Sequence, residues 1–281
     1  MGYLHIENLY ANQTVLMFPE VYVLEKIHGT SAHISWGEDG LKFFSGGVKQ
    51  DAFEALFDKP TLEKNLYDNF LPSYVFYGEA YGGKCQKMSH VYGPDLKFVV
   101  FDVKFCGDWV PVPIAEQLAR KLGLEFVHYV KIAPTMLALD AERDAHSKQA
   151  WRNGMGAQYG EGVVIRPVVE SNDHRGNRII AKHKRAEHRE TKSIRDVDPA
   201  RHEILTAADK IAEEYVTETR LDHVLQKTPG NTIKDTGHVV KAMVEDVMRE
   251  ADNVVWSKDV SKAVSHKAAM LFKRRVYASG H

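Results

Sequence analysis

The spacing of hydrophobic positions changes about two thirds of the way along the chain. Before that point, short apolar runs alternate with turn residues, a pattern typical of strands. The predicted strands cover residues 21–25, 32–36, 41–45, 74–80, 97–104, 162–168 and 178–183. Helices are predicted over residues 114–122, ended by Gly123, and over residues 134–151. Because helices do not regularly follow the strands, the pattern favours an α+β fold with antiparallel sheets over a doubly wound fold.

The last third of the chain has no strand pattern. The composition shifts near Asp198 and Pro199, and apolar residues then recur at helical spacing over residues 200–226, 235–250 and 258–276. Residues 228–231, Thr-Pro-Gly-Asn, break the pattern between the first two of these helices. The sequence therefore predicts an α+β domain of residues 1–195, followed by a small all-helical domain of residues 199–281.

Composition excludes several classes of protein. The 281 residues are 44% hydrophobic and 27% charged, as in globular proteins. No apolar run approaches the roughly 20 residues that span a bilayer, and the N-terminus lacks the layout of a secretion signal. Cys85 and Cys106 have neither disulfide-framework nor metal-site spacing. We therefore expect a cytoplasmic protein without membrane contact, whose cysteines are ordinary thiols.

Five segments in a fixed order carry the candidate chemistry. The first places Lys26 directly after a predicted buried strand, where Gly29 allows a sharp turn. The set consists of Leu24-Glu25-Lys26-Ile27-His28-Gly29-Thr30, Val75-Phe76-Tyr77-Gly78-Glu79-Ala80, Lys97-Phe98-Val99-Val100-Phe101-Asp102-Val103, Glu161-Gly162-Val163-Val164-Ile165-Arg166-Pro167 and Ile179-Ile180-Ala181-Lys182-His183-Lys184. Lys-x-His-Gly alone is a weak signal, and the ordered set is far more specific.

This set resembles the covalent nucleotidyltransferases, which comprise the ATP-dependent DNA and RNA ligases and the mRNA-capping guanylyltransferases. Most of that superfamily has Asp at the position of His28, so the first segment is similar to the RNA ligase 2-type branch, which seals nicks in duplex RNA. The similarity extends to residues 215–225. It implies an ATP-grasp-like adenylyltransferase catalytic domain over residues 1–195 and an RNA-engaging helical domain over residues 199–281.

The resemblance implies an ATP-dependent RNA ligase. Such an enzyme joins 3′-hydroxyl and 5′-phosphate RNA ends through a lysyl-AMP intermediate and AMP-capped RNA, and releases pyrophosphate and AMP. The expected cofactors are ATP and Mg²⁺ or Mn²⁺, and the expected substrate is nicked duplex RNA, sealed by a monomer in RNA repair. Three alternatives stay open: a ligase of DNA or mixed nicks, a capping guanylyltransferase and a non-catalytic RNA-binding module.

Four residues are expected to act directly in catalysis. Lys26 is the candidate nucleophile, but a free lysine has a pKa near ~10.4 and is almost fully protonated at neutral pH. Cationic neighbours would lower that pKa, and Lys182 and Lys184 are candidates. These two share one face of a predicted strand, and the resemblance places both on the α-phosphate. The alternative is a solvent-facing edge strand. For His28, the resemblance implies a role in the later RNA steps and not in nucleotide binding.

The resemblance also implies a nucleotide site. Glu25 and Ile27 would contribute to adenine recognition through their backbone, Glu79 would bind the ribose hydroxyls, and Phe101 would stack on the adenine. For Phe101, the apolar surroundings favour simple core packing instead. Glu161 lies at the mouth of a buried strand, where one carboxylate suffices to hold a Mg²⁺ ion that keeps much of its water shell.

Two positions depart from the family pattern. Gly46 stands where the family commonly has Arg, so either Lys49 substitutes or the backbone N–H groups of Gly46 and Gly47 form a phosphate nest. Ser31 stands where Asn often follows, and its single hydroxyl replaces an amide. Arg166 is a further candidate phosphate contact.

Two local clusters of positive charge contrast with the net charge of -1. The first comprises Arg175, Arg178, Lys182, Lys184, Arg185, Arg189, Lys192 and Arg195, against Glu187 and Glu190. The second comprises Lys262, Lys267, Lys273, Arg274 and Arg275. Such clusters are often only solvated faces, but beside nucleotide motifs they favour phosphate binding.

Overall fold

The computed structural model describes residues 2–173, 176–188, 199–228, 230–251 and 254–278. The chain forms two compact units. The sheet unit comprises Met1–Asn8, Glu20–Glu170 and Ile180–Ile194, and the helical unit comprises Leu9–Pro19, Ser171–Ile179 and Arg195–His281. Two stretches that precede residue 195 therefore group with the C-terminal helices.

The described residues of the sheet unit form ten strands. They are β1 (Glu7–Asn8), β2 (Val21–Lys26), β3 (Thr30–Gly37), β4 (Gly40–Ser45), β5 (Tyr74–Gly82), β6 (Leu96–Phe105), β7 (Asp108–Trp109), β8 (Tyr129–Ile132), β9 (Gly162–Pro167) and β10 (Ala181–Lys184). One sheet has the order β1-β10-β9-β2-β8 and the other the order β4-β3-β5-β6-β7. Every neighbouring pair is antiparallel except β1 and β10. The predicted antiparallel sheets are thus confirmed.

Six α-helices accompany these strands among the described residues of the sheet unit. They are α1 (Gln50–Glu54), α2 (Lys59–Asn69), α3 (Ser89–Tyr92), α4 (Val112–Lys121), α5 (Met136–Arg143) and α6 (Lys148–Arg152). The main core lies between the sheets and helices and includes Leu24, Ile34, Phe76, Tyr92 and Val99. The strands that supply it contain short apolar runs, such as Val21–Leu24 of β2, which explains why their positions were predictable.

One predicted helix of this unit was wrong, and the helices α1, α2 and α3 were not predicted. The single helix predicted over residues 134–151 is α5 followed by α6, because the Ser147 hydroxyl caps α6 by accepting a hydrogen bond from the Ala150 N–H at 2.9 Å. Helix α2 was missed because only Leu62 and Leu66 are buried along its 11 residues, which leaves a weak helical period.

The helical unit contains α7 (Pro199–Tyr215), α8 (Glu218–Lys227), α9 (Thr236–Glu250) and α10 (Lys258–Ala278). A short 3₁₀ helix, Thr14–Met17, belongs to the same unit, and its Met17 joins the core formed by residues such as Leu221, Met243, Val264 and Phe272. The predicted helical C-terminal region is confirmed.

One predicted boundary in this region was wrong. The single helix expected over residues 200–226 is broken after Tyr215, because the Thr217 side chain accepts a hydrogen bond from the Arg220 N–H at 3.2 Å and starts α8. The predicted break at residues 228–231 includes Pro229, which lies outside the described residues. No described helix is long and apolar enough to cross a membrane.

Candidate active site

The turn after Lys26 is held against β5 and α3. Lys26 ends β2, and Thr30 begins β3. Between them, the His28 N–H donates to the Tyr92 hydroxyl at 3.3 Å and the Gly29 N–H donates to the Glu79 carboxylate at 3.1 Å. A side chain at Gly29 would meet the Ala80 carbonyl at 2.3 Å, so only glycine fits this approach. The position of Lys26 is therefore set by backbone hydrogen bonds.

Strand register brings the candidate lysines together. Lys26 on β2 and Lys184 on β10 both lie opposite Gly162, the first residue of the strand between them. Residues that lie opposite one another share a face of the sheet, and a side chain at Gly162 would meet the His183 carbonyl at 2.2 Å, so glycine allows β10 to approach this closely. The two lysines thus lie on either side of Gly162, next to Glu161.

The Glu161 carboxylate joins three candidate residues. Its Oε2 lies 2.9 Å from Lys26 Nζ and 3.2 Å from His28 Nδ1, and its Oε1 lies 2.9 Å from Lys184 Nζ. The Glu161 side chain is only 5% exposed. These four residues come from three separate segments of the chain, and together we name them the Glu161 cluster.

The Glu161 cluster keeps its carboxylate ionised. Burial by itself would raise the pKa of Glu161, but hydrogen bonds from His28 and Lys184 and the charge of Lys26 outweigh burial and hold that pKa well below its usual value. At neutral pH the site therefore holds a permanent negative charge beside Lys26 and Lys184.

The pKa of Glu79 is shifted in the opposite direction from that of Glu161. Burial raises the pKa of Glu79 to about 7, and the nearby charge of Glu161 also raises it, whereas the charge of Lys26 and the Gly29 N–H lower it. Both protonation states are thus populated near neutrality. A carboxyl group of this kind can donate as well as accept hydrogen bonds.

Strand β10 is not an edge strand, so the edge-strand interpretation of Lys182 and Lys184 was wrong. It lies between β1 and β9, with Lys182 opposite Val164 and Lys184 opposite Gly162. The side chain of Lys184 is 10% exposed. The two lysines share one face of an interior strand, as their spacing predicted.

Phe101 lies away from these contacts. It is half-buried at the β-bulge of β6, and its ring packs edge-on against Tyr3 with centroids 4.8 Å apart. No described contact joins it to Lys26 or Glu161. Its neighbour Asp102 is fully buried and accepts hydrogen bonds from Tyr3 Oη at 2.6 Å and Arg166 Nη1 at 2.9 Å. In the structure Phe101 is part of the core packing, and its adenine-stacking role stays a prediction.

The candidate phosphate contacts differ in whether they are already engaged by other groups. Arg166 is 1% exposed, and its guanidinium is bound by Asp102 and Glu170, so it has no surface for a phosphate. The Gly46 N–H donates to the Ser31 carbonyl at 3.0 Å and is therefore engaged, which removes it from the predicted nest. Lys49 is exposed before α1 and stays a candidate.

Two contacts around the site could not be predicted from the sequence. The Glu25 side chain accepts hydrogen bonds from the Ser147 hydroxyl and from the Lys148 and Gln149 N–H groups at 3.1 and 3.2 Å, so it anchors the end of β2 to the start of α6. Tyr92 holds the His28 N–H. No signal in the sequence reveals either contact, because their partners lie more than sixty positions apart.

The second basic cluster is mostly neutralised by acidic neighbours within the helical unit. Lys267 pairs with Glu213, Arg274 pairs with Glu218, and Arg275 pairs with Glu218 and Asp222. Of the first cluster, Arg175, Arg189, Lys192 and Arg195 lie outside the described residues. Ion pairing thus accounts for most of the second cluster, as expected of a solvated face.

The described residues include no group of three His, Cys, Asp or Glu that could hold a metal ion. An ionised carboxylate is nevertheless present in Glu161, and an ion that keeps much of its water shell needs only one or two such ligands. The residues present therefore fit a hydrated divalent ion held by a single carboxylate.

Comparison with solved structures finds this fold in RNA ligases. A variant of Naegleria gruberi RNA ligase with ATP and manganese has a TM-score of 0.52 and 13% identity, covering 67% of this chain and 57% of that one. A variant with AMP and manganese has a TM-score of 0.52, 12% identity and the same coverage. The ligase with pyrophosphate has a TM-score of 0.51, 14% identity and again the same coverage. The chain thus spans little more than half the length of these relatives, and the likeness shows a shared fold.

The family model for RNA ligase matches residues 19–184, which contain all five motif segments. The chain belongs to the RNA ligase family. No curated protein matches it.

Proposed function

We propose that this protein is an ATP-dependent RNA ligase that works through a lysyl-AMP intermediate on Lys26. The observation that carries the proposal is the Glu161 cluster, in which Lys26, His28 and Lys184 converge on one buried carboxylate. The family assignment and the likeness to ligases solved with ATP and AMP support it.

In the first step, the Lys26 amine attacks the α-phosphorus of ATP. The new bond joins Nζ to phosphorus, the bond to the bridging oxygen breaks, and pyrophosphate leaves. Lys26 must first lose a proton to solvent and leave the ion pair with Glu161, 2.9 Å away, and its nitrogen loses a second proton to solvent as the bond to phosphorus forms. Lys184, held next to it, and Lys182 on the same face would offset the negative charge that builds on the α-phosphate.

Glu161 would hold Mg²⁺ or Mn²⁺, directly or through water. Such an ion, when bound, neutralises charge on the phosphates of ATP. Its charge would also compete with Lys26 for the carboxylate, which gives a reason for the Glu161 cluster to open when nucleotide arrives. Manganese accompanies ATP in the structure of the Naegleria gruberi variant.

The remaining candidates would bind the nucleoside. Glu79, with a pKa near neutrality and a hydrogen bond to Gly29, would bind the ribose hydroxyls. Glu25 and Ile27 would contact the adenine through their backbone, and Phe101 would stack on it after a change in its present packing.

The later steps transfer AMP to the 5′-phosphate of RNA and then join the 3′-hydroxyl with loss of AMP. His28 lies at the open side of the Glu161 cluster, 3.2 Å from the carboxylate, and would act in these steps. We propose nicked duplex RNA as the substrate of a monomeric cytoplasmic repair enzyme, with residues 1–195 as the adenylyltransferase domain and residues 199–281 engaging RNA.

The proposal is tested by incubating the purified chain with ATP labelled at the α-phosphate and with Mg²⁺ or Mn²⁺, after pyrophosphate treatment to remove any bound AMP. Label that survives denaturation is expected on the wild type and on the control Lys64→Ala, which removes a surface lysine paired with Asp68. Lys26→Ala should carry none. Covalent label on Lys26→Ala would refute the assignment of the nucleophile.

Nucleotide and substrate choice need separate measurements. GTP in place of ATP should give no label. Labelling by GTP would favour a capping guanylyltransferase. Nicked duplexes with RNA or DNA on each side then test the preference for RNA. Equal sealing of an all-DNA nick would contradict the RNA assignment.

A further inference from the structure

The face of β10 that lies opposite Lys182 and Lys184 carries its own polar contacts. His183 lies between the two lysines in sequence, so its side chain points to the other face of the sheet, towards α5. Its Nε2 lies 2.7 Å from Asp140 Oδ1 and 2.9 Å from Arg143 Nη1. Arg143 Nη1 also donates a hydrogen bond to Asp140 Oδ1 at 2.6 Å. Because Nε2 either donates to Asp140 or accepts from Arg143, depending on the tautomer, the imidazole is held by one of these two residues of α5.

Arg185, on the other side of Lys184, is held in a similar way. Its N–H donates to the Glu161 carbonyl at 3.0 Å, and its Nη1 lies 3.5 Å from Asp144 Oδ1. Its guanidinium also lies over the Tyr159 ring, 4.1 Å from the centroid. Asp144 in turn accepts a hydrogen bond from Arg143 Nε at 3.0 Å. Both neighbours of Lys184 are thus tied to α5 or to the residue after it.

The contacts from α5 fall on the part of β10 that extends beyond its pairing with β1. Strand β1 pairs with Ala181 and Lys182 and then ends, whereas β9 continues to pair with His183 and Lys184. The contacts from α5 are therefore additional to the pairing of His183 and Lys184 with β9.

We propose that Asp140 and Asp144 are positioning residues that act through His183 and Arg185 to hold Lys184 in place for AMP transfer. The proposal rests on the proposed function. Lys184 has a long, flexible side chain, so its ammonium can be held at a phosphate only if its backbone is fixed. The described contacts of Asp140 and Asp144 are with His183, Arg185 and Arg143, so any effect of theirs on Lys184 is indirect.

The experiment compares His183→Leu with His183→Gln in the full-length chain. Gln can still donate to Asp140 or accept from Arg143, whereas Leu can do neither. Single-turnover rates of AMP transfer to Lys26 are measured at saturating ATP, with Asp68→Asn as a control that breaks an ion pair on α2. We expect His183→Leu to slow transfer about tenfold or more, and His183→Gln and the control to stay close to wild type.

A second background separates positioning from general stability. If His183 acts through Lys184, His183→Leu should add little to the defect of Lys184→Ala. The proposal is overturned if His183→Leu leaves the rate unchanged, or slows transfer by the same factor with Lys184 present or absent. If His183→Leu does not fold, Asp140→Asn, at a position 43% exposed, provides the same comparison. Loss of AMP transfer in the wild type itself would instead contradict the proposed function.

Discussion

Replacing Glu161 by glutamine tests the charge at the centre of the candidate site. Glutamine keeps the size of the side chain and can still form hydrogen bonds, but Lys26, His28 and Lys184 lose their common negative partner. Removing one partner of a fully buried ion pair costs about 3–5 kcal/mol. Because the side chains of Lys26 and His28 are 22% and 30% exposed, water replaces part of the lost interaction, and we expect a cost of about 2 kcal/mol.

The assay is thermal unfolding of Glu161→Gln beside wild type at pH 7. For a domain of this size, each kcal/mol lowers Tm by about 2–4 °C, so we expect a fall of about 4–8 °C. Asp39→Asn is the matched control, because it breaks an ion pair with Lys42 at the surface, where Asp39 is 81% exposed. The control should leave Tm nearly unchanged.

The pH dependence gives a second check. The pKa of Glu161 is lowered in the folded state, so its contribution is present above the unfolded value, about 4.3, and is lost as pH falls through the folded pKa. The difference in stability between wild type and Glu161→Gln should therefore be constant near neutrality and shrink in acid. A Tm equal to that of wild type at pH 7 would refute the argument that the carboxylate stabilises the cluster.

Three further predictions concern buried groups. Burial raises the pKa of Glu79 to about 7, so its contribution to the free energy of unfolding is present below about pH 4.3 and is lost as pH rises through 7. The wild type should therefore lose up to about 3 kcal/mol of stability over this range, and Glu79→Gln should not. Denaturant unfolding at pH 5 and 8 measures the difference. Burial and the charge of Lys273 lower the pKa of His266 to about 4. The free energy of unfolding of the helical unit should therefore fall by up to about 3 kcal/mol as pH falls from 6.5 towards 4, and this fall should be smaller in His266→Gln. Asp102→Asn should cost about 3–5 kcal/mol in denaturant unfolding, because Arg166 stays buried with less negative charge beside it.

Each of these three has an outcome that contradicts it. Glu79→Gln with the same pH dependence as wild type would show that another group carries the change near neutrality. A helical unit equally stable at pH 4.5 and 7 would contradict the burial of a neutral His266. A cost of less than about 1 kcal/mol for Asp102→Asn would mean that Glu170 alone neutralises Arg166.

Much of the fold was predictable from local pattern. Strands such as β2 and β6 and helices such as α4 and α10 follow from the spacing of apolar side chains, which depends only on the geometry of the element itself. Elements whose start depends on a distant partner were misjudged. Helix α6 begins where it does partly because Glu25, 122 positions before Ser147, accepts its capping hydrogen bonds. Strand β8, only four residues long and half-buried, exists through its pairing with β2.

The candidate site, like the fold, was only partly predictable from the sequence. The order of the motif segments was enough to indicate Lys26, Glu161 and Lys184 as candidates. The folded structure was needed to show that Lys26 and Lys184 lie opposite the same glycine, that Glu161 joins them, and that Arg166 is buried against Asp102. A motif describes a local stretch of chain, whereas these contacts arise from the register of strands more than a hundred residues apart in sequence.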